Sequence, residues 1–378
     1  MPRHPRIAAR IAAMPPSPFS RLARRAAESG REIFPLHVGD TWREAPAGCR
    51  MEDLRCEEVP GLHRYAPVEG LPALLQAVAA RATLRHGLPT APTDVLVTAG
   101  ATGGLGAVLG AIAEPGDEVV IPAPYWPLIT GIVAGAHAAP VVVDALGGDW
   151  LARLEAAITP RTVAVYVNTP NNPTGRVLPE RDLVRLARMA QTNDLWLLAD
   201  ECYEDYAYAA PHVPLRRLAP ERTFSVHSFS KAFGMAGNRC GYVISPAGLS
   251  QELRKISLHT FYATPTAAQH AAARALAGPG DAFVAYVRGE YREAGARLAA
   301  RLALPEPEGG TFLFFDLAPF LAGRPLTPFL EACADAGLLM APGTSFGPYP
   351  THVRVCFTAQ PPERIEAAGA LLAQHLAP

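Results

Sequence analysis

Seven short apolar runs punctuate the middle of the chain, at 95–98, 118–121, 140–143, 163–167, 196–199, 223–227 and 241–244. In six of the seven, polar residues do not alternate with apolar ones, so the set predicts strands buried on both faces. Most are separated by helix-sized segments. Strands alternating with helices predict an α/β fold with a mostly parallel sheet covered on both sides. Ahead of the sheet, a helix over 21–29 stops at Gly30, and an extended run over 32–38 ends at Gly39-Asp40. A turn-rich link over 63–70 leads into a helix over 71–86. Glycines interrupt a helix over 101–113, where close packing against a cofactor or another helix would explain them. Beyond the sheet, an Ala-rich helix over 267–277 ends at Gly278-Pro279-Gly280, and a long helix follows over 281–302. The remainder reads as α+β, with strands at 311–317 and 353–358 and helices at 328–336 and 362–375. The Gly-Pro-Gly break sets the domain expectation: 1–44 as an amino-terminal arm with part of a small domain, 45–278 as a large domain, and 279–378 as a smaller carboxyl-terminal domain.

The 378 residues suffice for about two domains with sizeable cores. Lys and Arg total 34 against 35 Asp and Glu, a net charge of −1, which points away from nucleic acid and anionic membrane surfaces as partners. No apolar run reaches membrane-spanning length without a charge, proline or turn signal. The basic segment 1–25 lacks the continuous apolar centre of a secretory signal and reads as an arm plus a helix, with a transit peptide as the alternative. The six cysteines form no CxxC pair, which suits a reducing cytoplasm and argues against a zinc site or a disulfide framework.

In open α/β sheets the ligand site lies beyond the carboxyl ends of the strands, so the residues after each run are the candidates. After 95–98, Gly100-Ala101-Thr102 opens a helix whose backbone N–H groups suit a phosphate. After 118–121 come Tyr125 and Trp126, either of which could stack on a flat ring or simply seal the sheet. After 163–167, the rigid turn Asn171-Asn172-Pro173-Thr174-Gly175 follows. After 196–199, Asp200 stands at the end of a buried strand, where a carboxylate needs a positive partner, with Tyr203 three residues on. Glu201 and Glu204 are expected to be solvated or structural. After 223–227 comes Ser228-Phe229-Ser230-Lys231, then Arg239. A lone lysine among small and aromatic residues loses hydration, so its neutral amine is favoured and can form a Schiff base with an aldehyde. The neighbouring hydroxyl and guanidinium suit an aldehyde that also carries a phosphate. Arg354, flanked by Val353, Val355 and Phe357, either faces water at a sheet edge or meets an anion.

The spacing S-x-S-K-x7-R from Ser228 to Arg239 resembles the cofactor-lysine motif of class I/II aminotransferases, fold-type I enzymes that use pyridoxal 5′-phosphate (PLP). N-P-T-G at 172–175, Tyr65-x-Pro67-x-x-Gly70 and Pro342-Gly343-x-x-Phe346-Gly347 are similar to further family blocks, and the likeness runs over about residues 32–376. It implies a seven-stranded sheet and a set of roles. Lys231 would carry PLP as a Schiff base and move the proton between Cα and C4′ of the substrate–cofactor adduct. Asp200 would keep the pyridine nitrogen protonated, Trp126 would stack on the ring, and Asn172 and Tyr203 would bond its phenolic oxygen. Thr102, Ser228, Ser230 and Arg239 would hold the phosphate with the Gly100-Ala101 backbone. Arg354, helped by Asn172, would bind the substrate carboxylate, with Val38 and Gly39 at the entrance. Tyr65 would reach the phosphate of a neighbouring subunit, which implies a homodimer with shared sites. The substrates would be an amino acid and a 2-oxo acid, with PLP passing through pyridoxamine phosphate. Thr102 stands where many prokaryotic aspartate-type relatives carry a lysine, which tilts the expectation to a neutral aliphatic or aromatic amino acid. A lyase or cyclase on the same site is the alternative. A PLP-binding transcription regulator would need a DNA-binding module, for which the arm is too short.

Overall fold

The computed structural model describes residues 5–12, 14 and 20–377, so the arm expected at the amino terminus lies partly outside the described residues. In chain order its strands are β1 (Phe34–Pro35), β2 (Val95–Thr98), β3 (Glu118–Ala123), β4 (Ala139–Asp144), β5 (Thr162–Asn168), β6 (Trp196–Asp200), β7 (Thr223–Ser228), β8 (Gly241–Ile244), β9 (Phe312–Asp316), β10 (Leu338–Leu339), β11 (Ala341–Pro342) and β12 (His352–Cys356). The seven apolar runs become one seven-stranded sheet in the order β2-β8-β7-β6-β5-β3-β4. Only β8 runs against its neighbours, β2 and β7, and the other pairings are parallel.

Successive side chains of a strand point to opposite faces, and the two faces carry separate cores. Val165 and Val167 of β5 with Leu197 and Ala199 of β6 pack against the helices Trp150–Ala156 and Glu180–Thr192. Ala164 and Tyr166 of β5 with Leu198 of β6 pack on the other face with Leu105, Val108, Ile129 and Leu253. Those residues come from the helices Gly100–Ile112, Ile129–Gly135 and Ser250–Thr260. Both faces are thus dry, which is why six of the runs carry no polar alternation; the exception is β7, whose Thr223, Ser225 and His227 are polar and buried.

The glycines of the helix Gly100–Ile112 have mixed reasons. A Cβ on Gly104 would stand 2.8 Å from Val243 and 3.1 Å from Val226, so the helix lies directly on the sheet there. Gly110 faces Ile256 of the neighbouring helix, whereas a Cβ on Gly106 would meet nothing within 4 Å. The helix Pro72–His86 starts with proline in its first turn and stops at Gly87, whose φ of 67° and N–H bond to the Thr83 carbonyl close the last turn.

A second, antiparallel sheet has the order β11-β12-β9. Of the extended run expected at 32–38, only β1 pairs, parallel to β10. Gly278 and Pro279 separate the helices Thr266–Ala277 and Gly280–Arg301, and Pro362–Leu376 is the last helix. The strand expected at 353–358 is shifted to β12, with residues 357 and 358 beyond its end.

Candidate active site

The carboxyl ends of β2, β3, β5, β6 and β7 open on one side of the sheet, and a cavity of about 600 Å³ lies there. Val38, Gly39, Ala101, Thr102, Trp126, Asn172, Asp200, Tyr203, Ser228, Ser230, Lys231, Arg239 and Arg354 all line it. Gly100 sits just behind the wall. Tyr65 does not reach the cavity: it is 87% exposed and rests on Tyr262, ring centroids 5.0 Å apart. Tyr125, the alternative ring-stacking residue, is half-buried against the sheet and is not part of the wall.

Lys231 stands three residues past the end of β7, and its Nζ donates to the Gly39 carbonyl. Burial lowers its pKa, opposed by the charge of Asp40. The reason is local: Phe229, Ala232 and Phe233 around it are all buried, so the ammonium has little water. Asp200 closes β6 with a side chain that is also buried. Its Oδ2 accepts from the Tyr166 hydroxyl at 2.6 Å and its Oδ1 from the Cys202 N–H at 3.3 Å. Burial raises the pKa of this carboxyl, and the bonds from Tyr166 and Cys202 oppose the rise. The buried ring of Tyr203 stands edge-on to Phe312, and burial raises its phenol.

The loop after β5 is pinned at both ends. The Asn172 N–H donates to Asn168 Oδ1 at 2.7 Å, and Asn168 Nδ2 donates to the Asp200 carbonyl at 2.9 Å. Gly175, at φ 69°, passes so close to the Gly309 and Phe312 carbonyls that a Cβ would stand 2.7 and 3.1 Å from them. Asn172 is thereby aimed at Arg354, whose Nη1 donates to its Oδ1 at 2.9 Å. Arg354 Nη2 donates to the His37 carbonyl at 2.6 Å. The guanidinium lies over Phe312 and Phe346, 4.3 and 4.8 Å from the ring centroids. Its Nε has no acceptor, and among the described residues no carboxylate pairs with it. Burial lowers the Arg354 pKa to about 10. The sheet-edge arginine facing water is therefore overturned: this one is 4% exposed.

On the other side of Lys231, polar groups converge without a carboxylate. Ser228 Oγ donates to Ser230 Oγ at 2.8 Å and accepts from the Ser230 N–H at 3.0 Å. Arg239, itself at φ 51°, lays its guanidinium against Gly100, where a Cβ would stand 2.7 Å from Nη2. Gly100, at φ 68°, opens the helix whose N-terminal N–H groups face the same space. Two hydroxyls, one guanidinium and a helix start, with backbone approach that any side chain would block, fit a phosphate.

Glu201 and Glu204 are not solvated. Both side chains are buried behind the cavity: Glu201 accepts from His212 at 3.2 Å and from the Leu215 N–H at 2.9 Å, while Glu204 pairs with His86 and His227 at 3.5 and 3.4 Å. Burial pushes the Glu201 carboxyl up, but His212 and the nearby His227 and His86 bring it down to about 2. His86, Glu201 and His227 gather ligand-type atoms within 4.8 Å, yet protein groups already occupy them: Ser225 bonds both Glu201 and His227. The sequence reading missed Tyr166 and the wall residues His37, Leu105, Leu128 and Cys202. Tyr166 alone had a signal, as the one hydroxyl in the otherwise aliphatic stretch 163–167.

The family model of aminotransferase class I and II matches residues 41–371. The aspartate/prephenate aminotransferase of Thermus thermophilus is 33% identical, over 92% of this chain and 93% of its own length. An arginine–pyruvate transaminase of Pseudomonas aeruginosa is also 33% identical, over 89% of this chain and 88% of its own. The solved structure of Thermus thermophilus aspartate aminotransferase with maleate superimposes with a TM-score of 0.90 at 32% identity, covering 98% of this chain and all of that one. The sheet order, the smaller sheet beside it and the motifs at the strand ends all lie within the matched span, and the chain belongs to the aminotransferase class I and II family.

Proposed function

We propose that this chain moves an amino group between an amino acid with a neutral, aliphatic or aromatic side chain and a 2-oxo acid, with PLP as cofactor. One observation carries the reading. A single cavity joins a half-buried amine whose ammonium form is disfavoured, a buried carboxylate held by Tyr166 and Cys202, and a buried guanidinium without a counter-ion among the described residues. Members of the family are PLP-dependent. When bound, PLP supplies an electron sink for the negative charge that develops at the substrate Cα.

The fit of a phosphate to Ser228, Ser230, Thr102, Arg239 and the Gly100-Ala101 backbone supports that cofactor. Asp200 would then hold the ring nitrogen, Trp126 a ring face, Asn172 and Tyr203 the phenolic oxygen, and Lys231 the aldehyde carbon. Arg354 binds the substrate α-carboxylate, and Asn172 and the His37 carbonyl fix the orientation of its fork. The Lys231 amine, whose ammonium form is disfavoured by burial, takes the proton from the substrate Cα. Phe312 and Phe346 keep water from the guanidinium. Among the described residues Lys231, Arg239 and Arg354 are the wall's cations, since burial and the charge of Arg354 lower the His37 pKa to about 4, and each has a role that leaves none for a side-chain carboxylate. Leu105, Trp126, Pro127 and Leu128 offer apolar wall instead, with Val38 at the entrance.

Tyr65, exposed and remote from its own cavity, suits a homodimer in which it serves the second subunit's phosphate. An amino-terminal arm with part of the small domain in 1–44 suits the contacts from residue 20 onward: β1 pairs with β10 and the helix Ser20–Glu28 packs on Leu326–Asp335, whereas the helix Ala9–Ala12 lies against Ile129–Gly135. Six free cysteines suit the cytoplasm, and no helix among the described residues is long and apolar enough to cross a membrane.

The test is to load the purified protein with PLP and present a panel of amino acids. Conversion of the cofactor to pyridoxamine phosphate, fastest with leucine-like or phenylalanine-like substrates and restored by a 2-oxo acid, is the expected result. Faster turnover with aspartate or arginine would overturn the substrate class. Ammonia release without an oxo-acid acceptor would favour the lyase instead.

A further inference from the structure

We propose that Tyr166 is a positioning residue for Asp200: its hydroxyl sets the orientation in which that carboxylate meets the cofactor's ring nitrogen. The inference rests on the cofactor reading above. Register explains how the two groups meet. Tyr166 on β5 pairs with Leu198 on β6, and Asn168 pairs with Asp200. Tyr166 and Asp200 therefore share a sheet face as diagonal neighbours, a separation that a long aromatic side chain can bridge. Their oxygens lie 2.6 Å apart, a length proper to a hydroxyl donating to an ionised carboxylate.

Packing gives no reason for this hydroxyl. Tyr166 is 1% exposed, in a cluster of Leu96, Leu105, Val108, Ile121 and Leu198, where a hydroxyl without an acceptor is costly. The other positions of 163–167 are Val and Ala, and a phenylalanine would fill the same space. Burial and the charge of Asp200 raise the phenol, so Tyr166 stays protonated and is the donor. Tyr166 tethers Oδ2 and the Cys202 N–H tethers Oδ1, and the Cys202 side chain adds a further bond to the carboxylate. Rotation of the carboxyl group would break these bonds. An oxygen of fixed direction is what a single ring N–H requires, and the bond from Tyr166 also favours the ionised form against burial.

Equilibrium binding of two cofactors to the full-length apoprotein tests this. One is PLP. The other is its 1-deaza analogue, in which a C–H replaces the ring nitrogen while the aldehyde, phosphate and ring remain. Their dissociation constants are read from the quenching of tryptophan fluorescence, in the natural protein and in Tyr166→Phe. Loss of one hydrogen bond to a charged group is expected to weaken PLP by about tenfold and leave the analogue unchanged. The ratio of the two constants cancels any general loss of stability, because both are measured on the same folded protein. Tyr166→Leu, which also gives up the ring, should shift the ratio in the same direction. Equal weakening of both cofactors would make Tyr166 a packing residue and overturn the inference, as would no change in either. A natural protein that binds neither cofactor would instead sink the cofactor reading itself.

Discussion

Arg354 is a buried cation held by two neutral acceptors and two aromatic faces, with one N–H unsatisfied. An uncompensated buried charge destabilises the fold that carries it. The same charge becomes an asset once a carboxylate arrives. Arg354→Met should therefore separate the two effects. The apoprotein is expected to gain about 1–3 kcal/mol in urea unfolding, while kcat/KM for the best amino acid falls by ~10²-fold or more, mostly through KM. A variant that loses both stability and activity would show instead that Arg354 is structural. Lys231 makes a parallel case with a pH signature. Its pKa is lowered by burial in the folded apoprotein, so the unfolded chain holds the proton more tightly and folding is penalised wherever the lysine must be charged when unfolded. The penalty is present below the folded pKa and fades as pH rises toward the ordinary value of 10.5. Lys231→Met should thus stabilise the apoprotein at pH 7, and the gain should shrink as pH rises toward the ordinary value of 10.5. A gain that stays constant over that range would remove titration of this amine as its cause. Unfolding midpoints of the two proteins at several pH values decide the matter.

At the scale of elements, the glycines of the helix Gly100–Ile112 divide by what lies beneath them. Gly106 meets nothing, so Gly106→Ala should stabilise the protein by about 0.5–1 kcal/mol through helix propensity alone. Gly104 rests on Val226 and Val243, so Gly104→Ala must push the helix off β7 and β8 and should destabilise by about 1–3 kcal/mol. Thermal midpoints with opposite signs are the expected outcome, and a fall in both would mean that Gly106 has a contact beyond this chain. The contrast also marks what a sequence can carry. Most strands were legible because two dry faces leave unbroken apolar runs, and the site because the residues after the runs are polar and lie on one side of the sheet. Boundaries shifted where pairing, and not composition, decides: β3 and β4 extend to Ala123 and Asp144 because they bond to each other along their length. The burial of Glu201 and Glu204 was hidden because their partners His86, His212 and His227 come from three separate segments, which only the folded chain brings together. Arg354 was ambiguous for the same reason. Its neighbours Asn172 and His37 are far away in sequence.

At the scale of the whole molecule, Tyr65 is the residue that a single chain leaves without a task. It is exposed beside Tyr262, while the phosphate-fitting groups of its own chain lie in a cavity whose wall it does not join. A C2 dimer would use the same surface on both copies, so each Tyr65 would serve the other's site. The arrangement predicts complementation between two damaged proteins. Lys231→Ala lacks the anchoring amine and should be inactive, and Tyr65→Ala should bind PLP about tenfold or more weakly, as expected for a lost hydrogen bond to a charged phosphate. In a mixed dimer one of the two cavities has its own Lys231 and receives an intact Tyr65 from the other copy. That cavity is complete, and the second carries both defects. Random reassociation of equal amounts makes half of the dimers mixed, so at cofactor concentrations too low to load Tyr65→Ala alone, activity should recover to about a quarter of the natural protein's. Unfolding and refolding the two variants together, against the same variants refolded apart and then combined, isolates subunit exchange as the cause. Sedimentation of the natural protein as a monomer, or a co-refolded mixture no more active than its parts, would confine Tyr65 to its own chain and end the case for shared sites.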